Sequence, residues 1–216
     1  MQEYKVAVVG ATGAVGVEIV NVMHAHKFPL VSSGDYSVPI MYASARSAGK
    51  LVDTPYGSLT IREFELSSVQ KCEYDVIFLA VSGTFSKQYA RELAKGNALV
   101  IDNSSALRMD EDVPLVVPEI NSNSVYDGCK LIANPNCTTA IAVMALWPLH
   151  CKFKIRKIIM STYQVRYISF RSSFYLSTFI LKCVTLKKIL FRLRVELVRR
   201  VCKNLSMDVN NNLAGI

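Results

Sequence analysis

The sequence predicts an α/β fold: a doubly wound parallel sheet, followed by the start of a second unit. Three observations carry this expectation. Short apolar, β-branched runs recur at residues 4–9, 38–43, 75–81 and 98–102. Helix-period segments stand between several of them, at 18–23 and 85–95. Glycine, serine and asparagine collect just after the runs, at Gly10, Ser82-Gly83 and Asn103-Ser104-Ser105. Repeated strand–helix alternation produces parallel strands with helices on both faces. Ligands of such sheets sit outside the carboxyl ends of the strands.

Composition sets the outer bounds. Of 216 residues, 51% are hydrophobic, which excludes a disordered chain. Six cysteines without metal-ligand spacing suggest neither a disulfide scaffold nor a zinc site. No secretory or transit pattern is legible in the opening residues, so reduced thiols and a cytoplasmic location are expected. The net charge of +8 would ordinarily point to nucleic acid or membrane. Its position changes that inference. Residues 1–164 hold 15 Lys and Arg against 15 Asp and Glu, whereas residues 165–216 hold 10 against 2. All seven prolines and nine of the ten glycines also precede residue 165. The neutral part is therefore read separately from the basic part, with no nucleic-acid or membrane partner expected for it.

The first run, residues 4–9, leads into Gly10-Ala-Thr-Gly-Ala-Val-Gly16 and then a helix in which Val17, Val20 and His24 share a spacing. Strand, glycine-rich turn and helix open a Rossmann-type dinucleotide-binding unit, here with Gly10, Gly13 and Gly16 spaced G-x-x-G-x-x-G. Glycine lets the backbone turn sharply and approach a pyrophosphate, whose charge then rests on the helix N-terminus. The second run ends in Ser44-Ala-Arg-Ser47. An acidic residue at this place would take a ribose 2′-hydroxyl. Arg46 stands there instead, beside Ser47, and suits the 2′-phosphate of NADP.

Arg108 follows the run ending at Asp102 by six residues and could hold a phosphate or carboxylate bidentately. Asn134-Pro-Asn-Cys-Thr138 reads as a loop opening onto the apolar helix-forming stretch from Ala140. Cys137 thus falls at a helix N-terminus, where the dipole and free N–H groups favour a thiolate. That is the setting of a catalytic nucleophile. Residues 154–164 read as a further strand, with Ile155, Ile158 and Met160 buried and Gln164 at its end.

Five segments together resemble aspartate-β-semialdehyde dehydrogenase of the bacterial and plant type. They are the Gly10–16 turn, Ser44-Ala-Arg-Ser-Ala-Gly49, Asp102-Asn-Ser-Ser-Ala-Leu-Arg108, Asn134-Pro-Asn-Cys-Thr138 and Ser161-Thr-Tyr-Gln164. The resemblance implies a role for each match. Thr12, Gly13, Ala14 and Val15 would wrap the pyrophosphate of NADP, and Arg46 and Ser47 would meet its 2′-phosphate. Arg108 would hold the substrate's phosphate, with Asn136 beside the nucleophile Cys137 and Gln164 orienting the substrate. The implied reaction is NADPH-dependent reductive dephosphorylation of L-aspartyl-4-phosphate to the semialdehyde, in lysine, threonine, methionine and isoleucine synthesis. The implied partners are small molecules: aspartyl phosphate, the semialdehyde and phosphate. The family forms homo-oligomers through its catalytic domain. Plant members are plastid-targeted. N-acetylglutamyl-phosphate reductase shares the glycine-rich opening and a cysteine, but the loops around Arg46 and Cys137 argue against it.

This gives an expected division into an NADP-binding domain at 1–133, the beginning of an α+β catalytic domain at 134–164, and an unrelated basic tail at 165–216. The resemblance breaks after Gln164, where the family continues into a glycine-rich loop and supplies a general-base histidine. His24, His26 and His150 match no such base, so this chain is expected to be inactive. Three readings of the tail stand. Its longest uncharged apolar run, 172–181, is too short to span a membrane. Residues 181–203 could form a basic amphipathic helix on lipid or nucleic acid, in a non-catalytic NADP-binding remnant. Val165-Arg166 is also compatible with the start of a spliced intron, and the coincident break in resemblance and composition favours this reading. Sequencing the transcript across codon 164 decides it; a mature message encoding Val165-Arg166 as its dominant form sinks the idea.

Overall fold

A computed structural model describes residues 2–32 and 34–161. Gln164 and the whole basic segment, with the readings placed on it, lie outside the described residues.

Six parallel strands form the sheet: β1 (Val6–Val9), β2 (Ile40–Ala43), β5 (Arg62–Glu63), β6 (Val76–Leu79), β7 (Leu99–Asp102) and β8 (Leu131–Ala133). Their order is β5-β2-β1-β6-β7-β8, and every pairing is parallel. The chain begins in the middle, winds outward through β2 to β5, then returns past β1 and winds the other way. The reversal falls between β1 and β6, the place at whose carboxyl ends sheets of this kind bind their ligands. A separate hairpin pairs β3 (Leu51–Thr54) with β4 (Gly57–Thr60).

Alternation along each strand divides two cores. Val6, Val8, Val76, Phe78, Leu99, Ile101 and Ile132 face one side, where Ile19, Val20 and Met23 of α1 (Ala14–Ala25) pack on them. Ala7, Val9, Ile77, Leu79, Val100 and Leu131 face the other, against Val69 of α2 (Leu66–Lys71) and Ala90 and Leu93 of α3 (Gly83–Ala94). Four central strands are buried on both faces, the pattern a parallel sheet requires. Burying a side chain such as Phe78 contributes about 1.5–3 kcal/mol. Ser82 starts α3 by accepting from the Phe85 N–H at 3.3 Å.

The remaining helices are α4 (Pro118–Asn121) and α5 (Cys137–Phe153). Asn136 caps α5, its side-chain oxygen accepting from the Thr138 N–H at 2.9 Å and the Thr138 hydroxyl at 2.6 Å. Pro148 lies inside α5 and removes one hydrogen-bond donor from it. Ala140 is the only fully buried residue of this helix. Among the described residues, no helix is long and apolar enough to cross a membrane.

Several elements depart from the sequence expectation. The first helix begins at Ala14, so the last residues of the glycine-rich turn are already helical. Its buried face is Gly16, Ile19, Val20, Val22 and Met23, while His24 is exposed. The second strand starts at Ile40, after Pro39. The expected strand from Lys154 is not formed over 154–161, and Ile158 and Met160 are 53% and 50% exposed. The reason is a missing ladder: an extended segment becomes a strand only beside a partner. None pairs with this one among the described residues.

Candidate active site

The site is built on the carboxyl edge of the sheet. At the end of β1, the N–H groups of Gly10 and Ala11 both donate to the Tyr42 carbonyl of β2, at 2.8 and 3.1 Å. Gly10 has φ +84°, a conformation that disfavours a side chain, and a Cβ there would stand 2.2 Å from the Ala80 carbonyl oxygen. A Cβ on Gly16 would stand 2.3 Å from the Gly10 carbonyl oxygen. These two glycines therefore allow β1, the end of β6 and the start of α1 to meet. Gly13 is different: a Cβ would meet the Gly10 oxygen at an ordinary 3.4 Å. Its contribution is bare backbone at the N-cap of α1.

The outer part of the turn is open. Thr12, Gly13, Ala14 and Val15 are exposed, and no side chain caps α1 or places an acid in its first turn. Free N–H groups at a helix start, with no competing carboxylate, favour an anion. Arg46 lies one loop away, in a short 3-10 turn (Ala45–Ser47) directly after β2. It is exposed, Ser47 is half-buried, and none of the ion pairs among the described residues involves Arg46. Fully buried glycine contacts below and an open rim above form a cradle that fits a dinucleotide with a phosphate near its ribose.

The other half of the site lies past β7 and β8. Asp102 is wholly buried, its carboxylate accepting from Ser86 Oγ at 2.8 Å, the Ser104 N–H at 2.9 Å and Ser104 Oγ at 2.8 Å. These bonds set the turn leading to Arg108. The half-buried Arg108 donates from Nε to the Asn134 carbonyl at 2.8 Å and from Nη2 to the Asn103 carbonyl at 3.1 Å. Burial pushes its guanidinium below the ordinary arginine range, while Asp102 acts in the opposite direction. The Asn134 carbonyl that holds Arg108 stands three residues before Cys137. Cys137 occupies the first position of α5, partly exposed, directly after the capping Asn136.

The structure therefore brings Arg108, Asn136 and Cys137 together and puts Gly10, Thr12, Gly13, Ala14, Val15, Gly16, Arg46 and Ser47 along the same sheet edge. Three residues escaped the sequence reading: Asp102 as a buried anchor, and Asn103 and Asn134 as the carbonyl seats of Arg108. Asn136, placed beside the nucleophile by the resemblance, is the N-cap of α5 in the structure, a role its position just before a helix start signals. No group of three or more His, Cys, Asp and Glu that could hold a metal occurs among the described residues.

Residues 5–127 match the family model for the semialdehyde dehydrogenase NAD binding domain. The chain belongs to the semialdehyde dehydrogenase family.

Bacterial aspartate-semialdehyde dehydrogenases are similar to about three quarters of this chain. An aspartate-semialdehyde dehydrogenase from a Synechocystis species is 41% identical over 160 residues, covering 74% of this chain and 45% of the relative. One from Helicobacter pylori is 43% identical over 165 residues, covering 76% and 46%. Among solved structures, aspartate semialdehyde dehydrogenase II from Vibrio cholerae, complexed with ASA, superposes with a TM-score of 0.60 at 32% identity. It covers 69% of this chain and 47% of that one. The Candida albicans enzyme with NADP gives a TM-score of 0.54 at 25% identity, covering 69% and 47%. The chain spans somewhat less than half the length of the curated relatives it matches.

Proposed function

We propose that this chain provides the NADP-binding half and the nucleophile of an aspartate-semialdehyde dehydrogenase. The observation that carries the reading is the seating of Arg108 on the Asn134 carbonyl, three residues before Cys137, at the edge that also presents the glycine cradle. An anion site next to a helix-start thiol is what an acyl phosphate requires.

The chemistry divides among the residues as follows. Arg108 binds the phosphate of L-aspartyl-4-phosphate. The Cys137 thiolate attacks the acyl carbonyl. The carbon–oxygen bond to phosphate breaks, phosphate leaves with the electron pair, and a thioester remains on sulfur. When bound, NADPH supplies the hydride that reduces the thioester carbon. Collapse of the resulting thiohemiacetal breaks the carbon–sulfur bond, releases the semialdehyde and returns the sulfur to Cys137. Sulfur suits this sequence because it is both a strong nucleophile and a good leaving group. Thr12, Gly13, Ala14 and Val15 would hold the pyrophosphate, and Arg46 and Ser47 the 2′-phosphate.

A base to move protons at this site is a separate matter. His24 and His26 lie at the far end of α1, and His150 is thirteen residues along α5 from Cys137. At 1.5 Å rise per residue, that is about 20 Å. The chain on its own should therefore acylate but turn over slowly, since a positioned base typically contributes ~10²–10⁴-fold.

The test is a single-turnover experiment on the 216-residue chain. Aspartyl phosphate should release one equivalent of phosphate, and Cys137→Ser should abolish the release. NADP should bind more tightly than NAD, and Arg46→Ala should remove that preference, which isothermal calorimetry would show. Absence of both phosphate release and NADP binding would overturn the assignment. Rapid steady-state turnover would overturn the slow-turnover part alone.

A further inference from the structure

Two asparagines at the ends of neighbouring strands form a closed link beneath Arg108. Asn103 follows β7 and Asn134 follows β8. The Leu79 carbonyl, at the end of β6, accepts from both the backbone N–H of Asn103 at 3.0 Å and its side-chain amide at 2.9 Å. A carbonyl can only accept, so the Asn103 amide must aim its nitrogen at Leu79 and its oxygen away. That oxygen accepts from the Asn134 side-chain amide at 2.6 Å. The Asn134 N–H in turn donates to the Asp102 carbonyl at 2.8 Å. The backbone carbonyls of these same two asparagines are the seats of Arg108, taking Nη2 and Nε. Asn134 stands three residues before Cys137 in the chain.

We infer that the Asn103–Asn134 amide link is a positioning device that fixes Arg108 and the Cys137 loop relative to each other. The inference rests on the reading of Arg108 as the phosphate site. Without the link, β7 and β8 still pair through Ile101 and Ile132. The two loops beyond them lose their shared side-chain tie, and the two carbonyls no longer hold one spacing. A guanidinium donates in a fixed plane, so a shift of its two acceptors turns the group that meets the anion. Asn103 and Asn134 touch no reacting atom in this account; they act through Arg108 and through the loop that ends in Cys137.

The probe is inorganic phosphate, titrated by calorimetry into the full chain. Asn134→Ala should raise the phosphate Kd about tenfold, the order of effect of losing one part-buried hydrogen bond. Asn103→Ala combined with Asn134→Ala should raise the Kd by less than the product of the two single changes, because both break the same link. A merely structural pair would instead lower the melting temperature and leave the Kd within twofold. A second measurement needs no variant. In the unsubstituted chain, the Asn134 side-chain amide protons should exchange with water at least about tenfold more slowly than those of exposed Asn97, and should shift when phosphate is added. Exchange as fast as that of Asn97, or an unchanged Kd in a folded Asn134→Ala chain, would overturn the link while leaving the function intact. Failure of the unsubstituted chain to bind phosphate would overturn the Arg108 reading and the link together.

Discussion

Strand β6 buries all four of its residues, and β1 and β7 do the same. Helix α5, at seventeen residues the longest among the described residues, buries one. Both are apolar in sequence. The strands lie between two helix layers and neighbouring strands, so every backbone group and side chain has a neighbour. The helix is satisfied along its backbone and capped at its start, yet Trp147, Leu149 and Phe153 are 39%, 47% and 67% exposed. The difference separates what holds the glycine turn from what carries Cys137. The side of the glycine turn is stabilised by residues the chain itself supplies. Among the described residues, the helix that starts at Cys137 is fastened mainly at one end, at the cap and the loop around Asn134.

The contrast can be broken most forcefully from the strand side. Phe78→Ala should cost about 3–5 kcal/mol, measured by urea unfolding, because a fully buried ring leaves a cavity between sheet and helix. A cost below 1 kcal/mol would mean that the sheet is not the stabilising body. Asn136→Ala comes next. It removes the cap of α5 and should cost about 1 kcal/mol, with hydrogen exchange accelerated at Thr138 and Thr139 and unchanged in β6. Acceleration in β6 of equal size would join the two regions into one cooperative unit. The smallest effect belongs to the exposed face. Trp147→Ser should change stability by less than about 0.5 kcal/mol while reducing self-association in light scattering. A large loss would show that the face is covered within the chain.

This same contrast explains what could be read in advance. The strands at β1, β6 and β7 announced themselves because burial on both faces demands unbroken apolar runs. The glycine turn and the helix start at Cys137 were legible because each imposes a residue type on a few consecutive positions. The hairpin of β3 and β4 was not, since its residues are short, mixed in polarity and half-exposed. Strand β8 is three residues long and runs into Asn134-Pro135, which reads as a loop. The Asp102–Ser86 bond joins residues sixteen apart, and the Asn103–Asn134 bond residues thirty-one apart. Such pairings are set by strand order, and no local spacing encodes them. The segment from Lys154 failed in the opposite sense: its pattern suits a strand, but a pattern alone provides no neighbour.

The position of β1 in the middle of the sheet has a consequence for the order of events during synthesis. Its first neighbour, β2, emerges some thirty residues later, and its second, β6, about seventy later, when Asp75 can accept the Lys5 N–H at 2.7 Å. Strand β1 must wait with one edge solvated even after β2 has paired with it, until Ala80 arrives to close over Gly10. At ~5–20 residues per second, that interval is several seconds. The helix bearing Cys137 leaves the ribosome only after β8 has completed the sheet. The growing chain can thus assemble its glycine turn and sheet before Cys137 has a place to dock.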